Sequence, residues 1–317
     1  MIDIHAHRAP ADLRDRLAAD GEKAGARLRE DGRVEFASGE LTRPLFPELY
    51  APPRAPGCEL QVVSPWVDLL GYGLDPDRGA RWARLLNRGL EGHPALATVP
   101  LQDGAAAARE VEWALAHGFL GVEIGTNART RELSDPDLEP FWAACEAGGV
   151  PVFLHPAYVV GGGRLQSHYL HNLAANPFDT TLAVAHLVFG GVLDRHPRLV
   201  LILAHGGGYW PYQFGRFDRG HAVRPECTTP LRPPREYLRA FYYDTVVHSG
   251  PALRYLVDLV GADRVLLGTD LPFDMGDPDP LATLRAARLD GEAVDAISRR
   301  NALAVFRLDG GSSRRGR

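Results

Sequence analysis

The sequence predicts an α/β protein, a (β/α)8 TIM barrel with a small insertion between strands one and two. Three observations predict it. Eight short apolar runs alternate with stretches of helical periodicity. Several runs are unbroken Val, Ile and Leu, as in strands of a parallel sheet buried on both faces. Ionisable residues also recur at the C-terminal ends of the runs, where barrel enzymes build their sites. The 317 residues suit a barrel of roughly 250 residues plus insertions. No GxGxxG follows the first strand, which weighs against a doubly wound open sheet.

In chain order, the first strand is IDIHA at 2–6. An insertion over about 8–58 follows, read as a helix at 10–30 and a hairpin around Ser38-Gly39. The second strand is 60–64, with a helix at 78–91. The third is 95–100, with a helix at 104–117, and the fourth is 119–124. The helix at 137–148 starts after the cap residues Ser134 and Asp135 and stops at Gly148-Gly149. Strand five is 150–154, followed by a helix at 180–196. Strand six is 199–204, strand seven 241–247 with a helix at 251–261, and strand eight 264–269. One barrel domain is expected over 1–308, and the Gly/Ser/Arg-rich stretch 309–317 reads as a disordered tail.

Composition excludes several function classes. A net charge of −5 with no basic stripe argues against nucleic acid as a partner. No run of 18 apolar residues exists, so no membrane partner is expected. Cys58, Cys145 and Cys227 are scattered without a CxxC pair, which fits a reducing compartment. With chemistry beginning at residue 3 and no room for a signal peptide, the reading is cytoplasmic.

His5 and His7 are two apart on a predicted strand, so both imidazoles face one way. An HxH pair alone is a weak metal signal. The pattern repeats by position, however: His155 directly follows strand five, His205 strand six and Asp270 strand eight. Five ionisable groups therefore converge above one barrel mouth. Three imidazoles and a carboxylate suit zinc, cobalt or iron better than magnesium or calcium. Gly206-Gly207-Gly208 is no phosphate cradle, because no lysine or Ser/Thr follows in P-loop spacing.

The segments DIHAH, VPLQD (99–103), PVFLHP (151–156), GGVLDRHP (190–197), AHGGGYWPYQFGRFD (204–218), RPPREY (232–237), LLGTDLPF (266–273) and NALAVF (301–306) carry a resemblance over nearly the whole chain. It resembles the amidohydrolase superfamily, within it the decarboxylase branch typified by 2-amino-3-carboxymuconate-6-semialdehyde decarboxylase. The resemblance implies one divalent ion, zinc in the first instance, on His5, His7, His155 and Asp270. It implies that His205 is the acid/base working with metal-activated water. It implies that Arg43 and Arg216 bind the carboxylate of a small-molecule substrate, and that the chain is a homodimer whose neighbouring subunit supplies the second arginine. The activity implied is metal-dependent, non-oxidative decarboxylation of a carboxylated aromatic or muconate-like acid. The same centre could instead serve a hydrolase or hydratase acting on an amide, lactone or unsaturated acid.

Two departures refine that picture. Many amidohydrolases bridge two ions with a modified lysine after strand four. The single lysine here, Lys23, lies in the insertion, so one ion is expected. The loop after strand five reads HPAYVVGGGRLQSHYLHNLAANP and lacks the branch's tryptophans. Tyr158 and His171 are the substrate contacts expected from it.

Overall fold

Eight parallel strands close on themselves, with helices packed outside, in a computed structural model that describes residues 1–308. The expected tail, 309–317, lies outside the described residues. The strands are β1 (Ile2–Arg8), β2 (Leu60–Pro65), β3 (Leu96–Thr98), β4 (Gly121–Gly125), β5 (Pro151–His155), β6 (Val200–Leu203), β7 (Phe241–Asp244) and β8 (Val265–Leu266). β3 to β8 form one six-stranded ladder, and β1 pairs with β2. Parallel bridges from Val63 to Ala95 and from Ala6 to Leu271 join the two sets and close the barrel.

β8 is shorter than the predicted 264–269 because only Val265 and Leu266 pair with β7. The residues after it bond to β1 instead. Leu267 O accepts from Ile4 N, and His5 O accepts from Asp270 N at 2.7 Å. This seam sets the first metal-ligand candidates beside the last. The register of β1 against β2 also shifts between Asp3 and Ala6, the kind of irregularity that re-aims side chains beside active sites. Ile4 joins the interior layer of Val62, Leu96, Phe153, Ile202 and Leu266, while the His5 ring lies 4.8 Å from Phe153. Both consecutive side chains thus reach the interior. A larger apolar layer, with Trp142, Val152, Leu187 and Leu201, lies between strands and helices.

The helices that matter for the site are α1 (Leu13–Ala24), α2 (Pro76–Leu90), α3 (Gly104–Ala116), α4 (Glu139–Gly148), α5 (Asn176–Phe189), α6 (Trp210–Val223) and α7 (Gly250–Val260). Their starts follow capping chemistry: Asp75, Asp103 and Ser249 accept from the backbone N–H three residues on. The predicted helix at 180–196 begins earlier and breaks after Phe189, because Gly191 turns left-handed (φ 70°). A short helix, Val192–Arg195, resumes after it.

The predicted helix at 10–30 is too long. Gly25, in the left-handed region, caps α1, and Ala26–Leu28 leaves as a strand antiparallel to Val34–Phe36. The hairpin turn therefore lies before Val34. At Ser38-Gly39 the chain turns again and adds one antiparallel bridge, Glu35 to Leu41. This second turn brings Leu41, Thr42 and Arg43 to the barrel mouth. No described helix is long and apolar enough to cross a membrane.

Candidate metal centre

His5, His7, His155 and Asp270 are all buried, and one ligand atom from each lies within 4.8 Å of the others. His5 and His7 lie on β1 and His155 ends β5, while Asp270 lies beyond β8 on the stretch that bonds to β1. His5 Nε2 and His7 Nε2 are 3.2 Å apart, and Asp270 Oδ1 is 3.2 Å from both. The rings of His155 and His7 are 4.8 Å apart between centroids.

The outward nitrogens fix the tautomers. His7 Nδ1 faces Pro65 O at 3.4 Å and His155 Nδ1 faces Pro156 O at 3.1 Å. A carbonyl only accepts, so each Nδ1 carries the proton and each Nε2 a lone pair. His5 Nδ1 lies 2.6 Å from Asp244 Oδ2. The Nε2 lone pairs of His7 and His155 and the Asp270 carboxylate therefore turn towards one point, with the Nε2 edge of His5 beside them. His155 Nε2 and Asp270 Oδ1 are buried there without a hydrogen-bond partner. Buried acceptors facing each other in this way are costly unless a cation joins them. The donor set thus fits one divalent ion.

Electrostatics agree. Burial, reinforced by the neighbouring imidazoles of His7, His205 and His5, pushes His155 well below the ordinary imidazole range and keeps it neutral. Burial opposes protonation of His5, but Asp270 and Asp244 outweigh it and hold its pKa at about 10. Two carboxylates therefore already demand positive charge at this point. Burial pushes Glu123, on β4, up to about 8. Its Oε1 accepts from Ser64 Oγ at 3.0 Å and lies 3.8 Å from His7 Nδ1. The titratable group from β4 beside the cluster is thus a glutamic acid, not a lysine, and Lys23 lies on α1, paired with Asp20.

His205 follows β6 in a left-handed conformation (φ 54°). Its Nε2 is 3.3 Å from Asp270 Oδ2, and its Nδ1 is buried without a partner. The glycines after it let the backbone pass at close range. A Cβ on Gly206 would come within 2.4 Å of Val247, and one on Gly208 within 2.1 Å of Pro177 O.

Asp244, at the end of β7, joins both halves of the site. One oxygen holds His5, and the other accepts from Gly206 N at 2.9 Å and Val246 N at 3.0 Å. Asparagine at this position presents its amide N–H groups to donors that need an acceptor. Asp244→Asn is expected to weaken metal binding by about 10- to 100-fold, measured by competition with a chelator. Unchanged affinity would remove Asp244 as the group that orients His5.

A cavity of about 450 Å³ opens over the cluster. His155 and Asp270 line it, together with Arg43, Tyr158 and His171 from the sequence-predicted set. Tyr158 is fixed there, its hydroxyl accepting from Tyr72 N at 3.0 Å. Arg216 is absent from this lining and is exposed on α6. Sequence reasoning missed Trp66, Asp68 and Phe273, which form much of the wall. Trp66 does follow a strand directly, which is the signal that found the histidines.

The family model described as amidohydrolase matches residues 2–308. The 2-amino-3-carboxymuconate-6-semialdehyde decarboxylase of Dictyostelium discoideum is 34% identical over 263 residues, covering 79% of this chain and 73% of that protein. Among solved structures, 5-carboxyvanillate decarboxylase from Sphingomonas paucimobilis superposes with a TM-score of 0.78 at 22% identity, covering 97% of this chain and 98% of that one. A dihydroxybenzoic acid decarboxylase from Polaromonas, solved with bound manganese and the inhibitor 2-nitroresorcinol, superposes at 0.75 with 22% identity, covering 97% of each chain.

Proposed function

The chain belongs to the amidohydrolase family, and we propose from that premise that it is a metal-dependent, non-oxidative decarboxylase of a carboxylated aromatic or muconate-like acid. The observation that carries the proposal is the convergence of His5, His7, His155 and Asp270 on one buried point beside His205. The 34% identical relative is itself a decarboxylase, which favours this reading over hydrolysis or hydration at the same centre.

The four ligand candidates hold one divalent ion, and zinc is the ion their imidazole-rich set prefers. When bound, such an ion supplies Lewis acidity and lowers the pKa of water to about 7. The chain's own groups do the rest. Arg43, Tyr158 and His171, on the cavity wall, bind and orient the substrate. His205 moves the proton. The bond between the substrate's carbon and its carboxylate breaks, the electron pair stays on that carbon, a proton takes it up, and CO2 leaves.

Arg216 serves a neighbouring subunit's site in a homodimer. Its exposure on α6, beside Tyr212 that is 75% exposed, supports that assignment. The single barrel over 1–308 is the catalytic unit. Its three cysteines are all free, which supports a cytoplasmic location.

The test is CO2 release by zinc- and manganese-loaded protein from hydroxylated and carboxylated benzoates and muconate-type acids, run in ¹⁸O water. CO2 release without label in the organic product is the expected result. Label in the product skeleton with no CO2 overturns the proposal in favour of hydrolysis or hydration.

A further inference from the structure

Arg43 reaches the cavity already engaged. Its Nε and Nη2 donate to the two oxygens of Asp68 at 3.0 and 2.9 Å, and its backbone N donates to Asp68 Oδ2 at 3.0 Å. The guanidinium also lies over the Trp66 ring, 5.0 Å from its centroid. Asp68 and Trp66 sit together at the end of β2, on a strand end and the short 3-10 turn after it (Val67–Leu69). The side-on fork of the arginine, the edge best suited to clamp a carboxylate, is thus filled by the protein itself. Only Nη1 makes no hydrogen bond among the described residues.

The wall's charge follows from this. Asp270 faces the ion's position. Beyond it the cavity wall carries Asp68 and Arg43, already paired with each other, and Glu40, which is paired with Arg129. Like charges about 6 Å apart in a partly hydrated wall still repel one another. A second substrate carboxylate placed near Arg43 would therefore meet Asp68 at similar range. The apolar part of the same wall, with Trp66, Tyr169 and Phe273, accepts a ring.

We propose that Asp68 is a specificity-determining residue: by occupying the fork of Arg43 and neutralising it, Asp68 selects aromatic acids with one carboxylate over those with two. This rests on the reading of the cavity as a substrate site given above. One carboxylate is what the ion and Arg216 of the partner subunit serve between them. Arg43, with Nη1 free, then meets a neutral acceptor such as a hydroxyl oxygen on the ring.

The test is calorimetric binding to zinc-loaded protein, with 2-hydroxybenzoate as the monoanion and benzene-1,3-dicarboxylate as the dianion. Wild type is expected to prefer the monoanion. Asp68→Asn is expected to shift the affinity ratio towards the dianion by about tenfold or more, a change of about 1.4 kcal/mol. Asp68→Glu, which keeps the charge, is expected to return the ratio to near the wild-type value. A merely structural role would lower both affinities together and leave the ratio in place, and that result overturns the proposal. So does a wild type that prefers the dicarboxylate or binds neither probe. The measurement needs no turnover, so its failure is separate from a failure to release CO2.

Discussion

Asparagine in place of His205 is expected to lower kcat by about 10²- to 10⁴-fold while the ion stays bound. Asparagine is the right replacement because the backbone there is left-handed (φ 54°). It tolerates that region better than alanine, so the variant tests the imidazole rather than the fold. Decarboxylation leaves an electron pair on carbon, and a proton must arrive at that atom. His205 is the imidazole beside the cluster whose Nδ1 is left without a partner, and its Nε2 approaches Asp270 Oδ2, not a backbone carbonyl. KM should change by no more than about threefold, since the loss falls on the transition state and not on uniform binding. Two further measurements isolate the role. Metal content should remain one ion per chain. Exchange of the product's ring hydrogen with deuterium oxide, which runs the protonation backwards, should slow in step with kcat. A variant that keeps its kcat, or loses it together with its ion, removes His205 as the proton carrier.

Most of this centre was legible in the sequence because strand ends are easy to see. PVFL before His155 and LILA before His205 are continuous apolar runs, and a buried parallel strand leaves few other readings. The first residue after such a strand is at the barrel mouth whatever the loops do. The insertion was harder to read. Its helix was overextended because ARL at 26–28 has no apolar alternation to mark a strand, and only the left-handed Gly25 ends α1. Asp68 was illegible for a related reason. Its partner Arg43 lies 25 residues away across the insertion, and no local pattern reports a pair made by tertiary packing. Asp244 sits at the end of FYYD like the other strand-end groups, yet its bond to His5 spans 239 residues. Periodicity thus located the groups but not the partnerships that fix their tautomers and charge.

The largest loss is expected from Asp270→Asn. The residue is left-handed (φ 60°), so asparagine again preserves the backbone while removing the cluster's one anionic ligand. Lewis acidity is worth several kcal/mol in the transition state, so activity should fall by at least about 10³-fold. The pH dependence of ion uptake tests the same charge balance. Despite burial, Asp270 and Asp244 hold the pKa of His5 at about 10 in the ion-free cluster, so an entering cation must displace that proton. Between about pH 7 and 9, loading should release about one proton per ion, and the apparent affinity should rise about tenfold per pH unit. The raised His5 pKa also stabilises the ion-free fold. That contribution is complete below the unfolded value of about 6.5 and is lost as pH rises through about 10. The Tm gained on adding zinc should therefore widen with pH across this window. In Asp270→Asn the main support for the His5 charge is gone, so proton release above neutrality should diminish along with affinity. A variant that holds a full ion against the same chelator as wild type would show that three imidazoles suffice and would take Asp270 out of the ligand set.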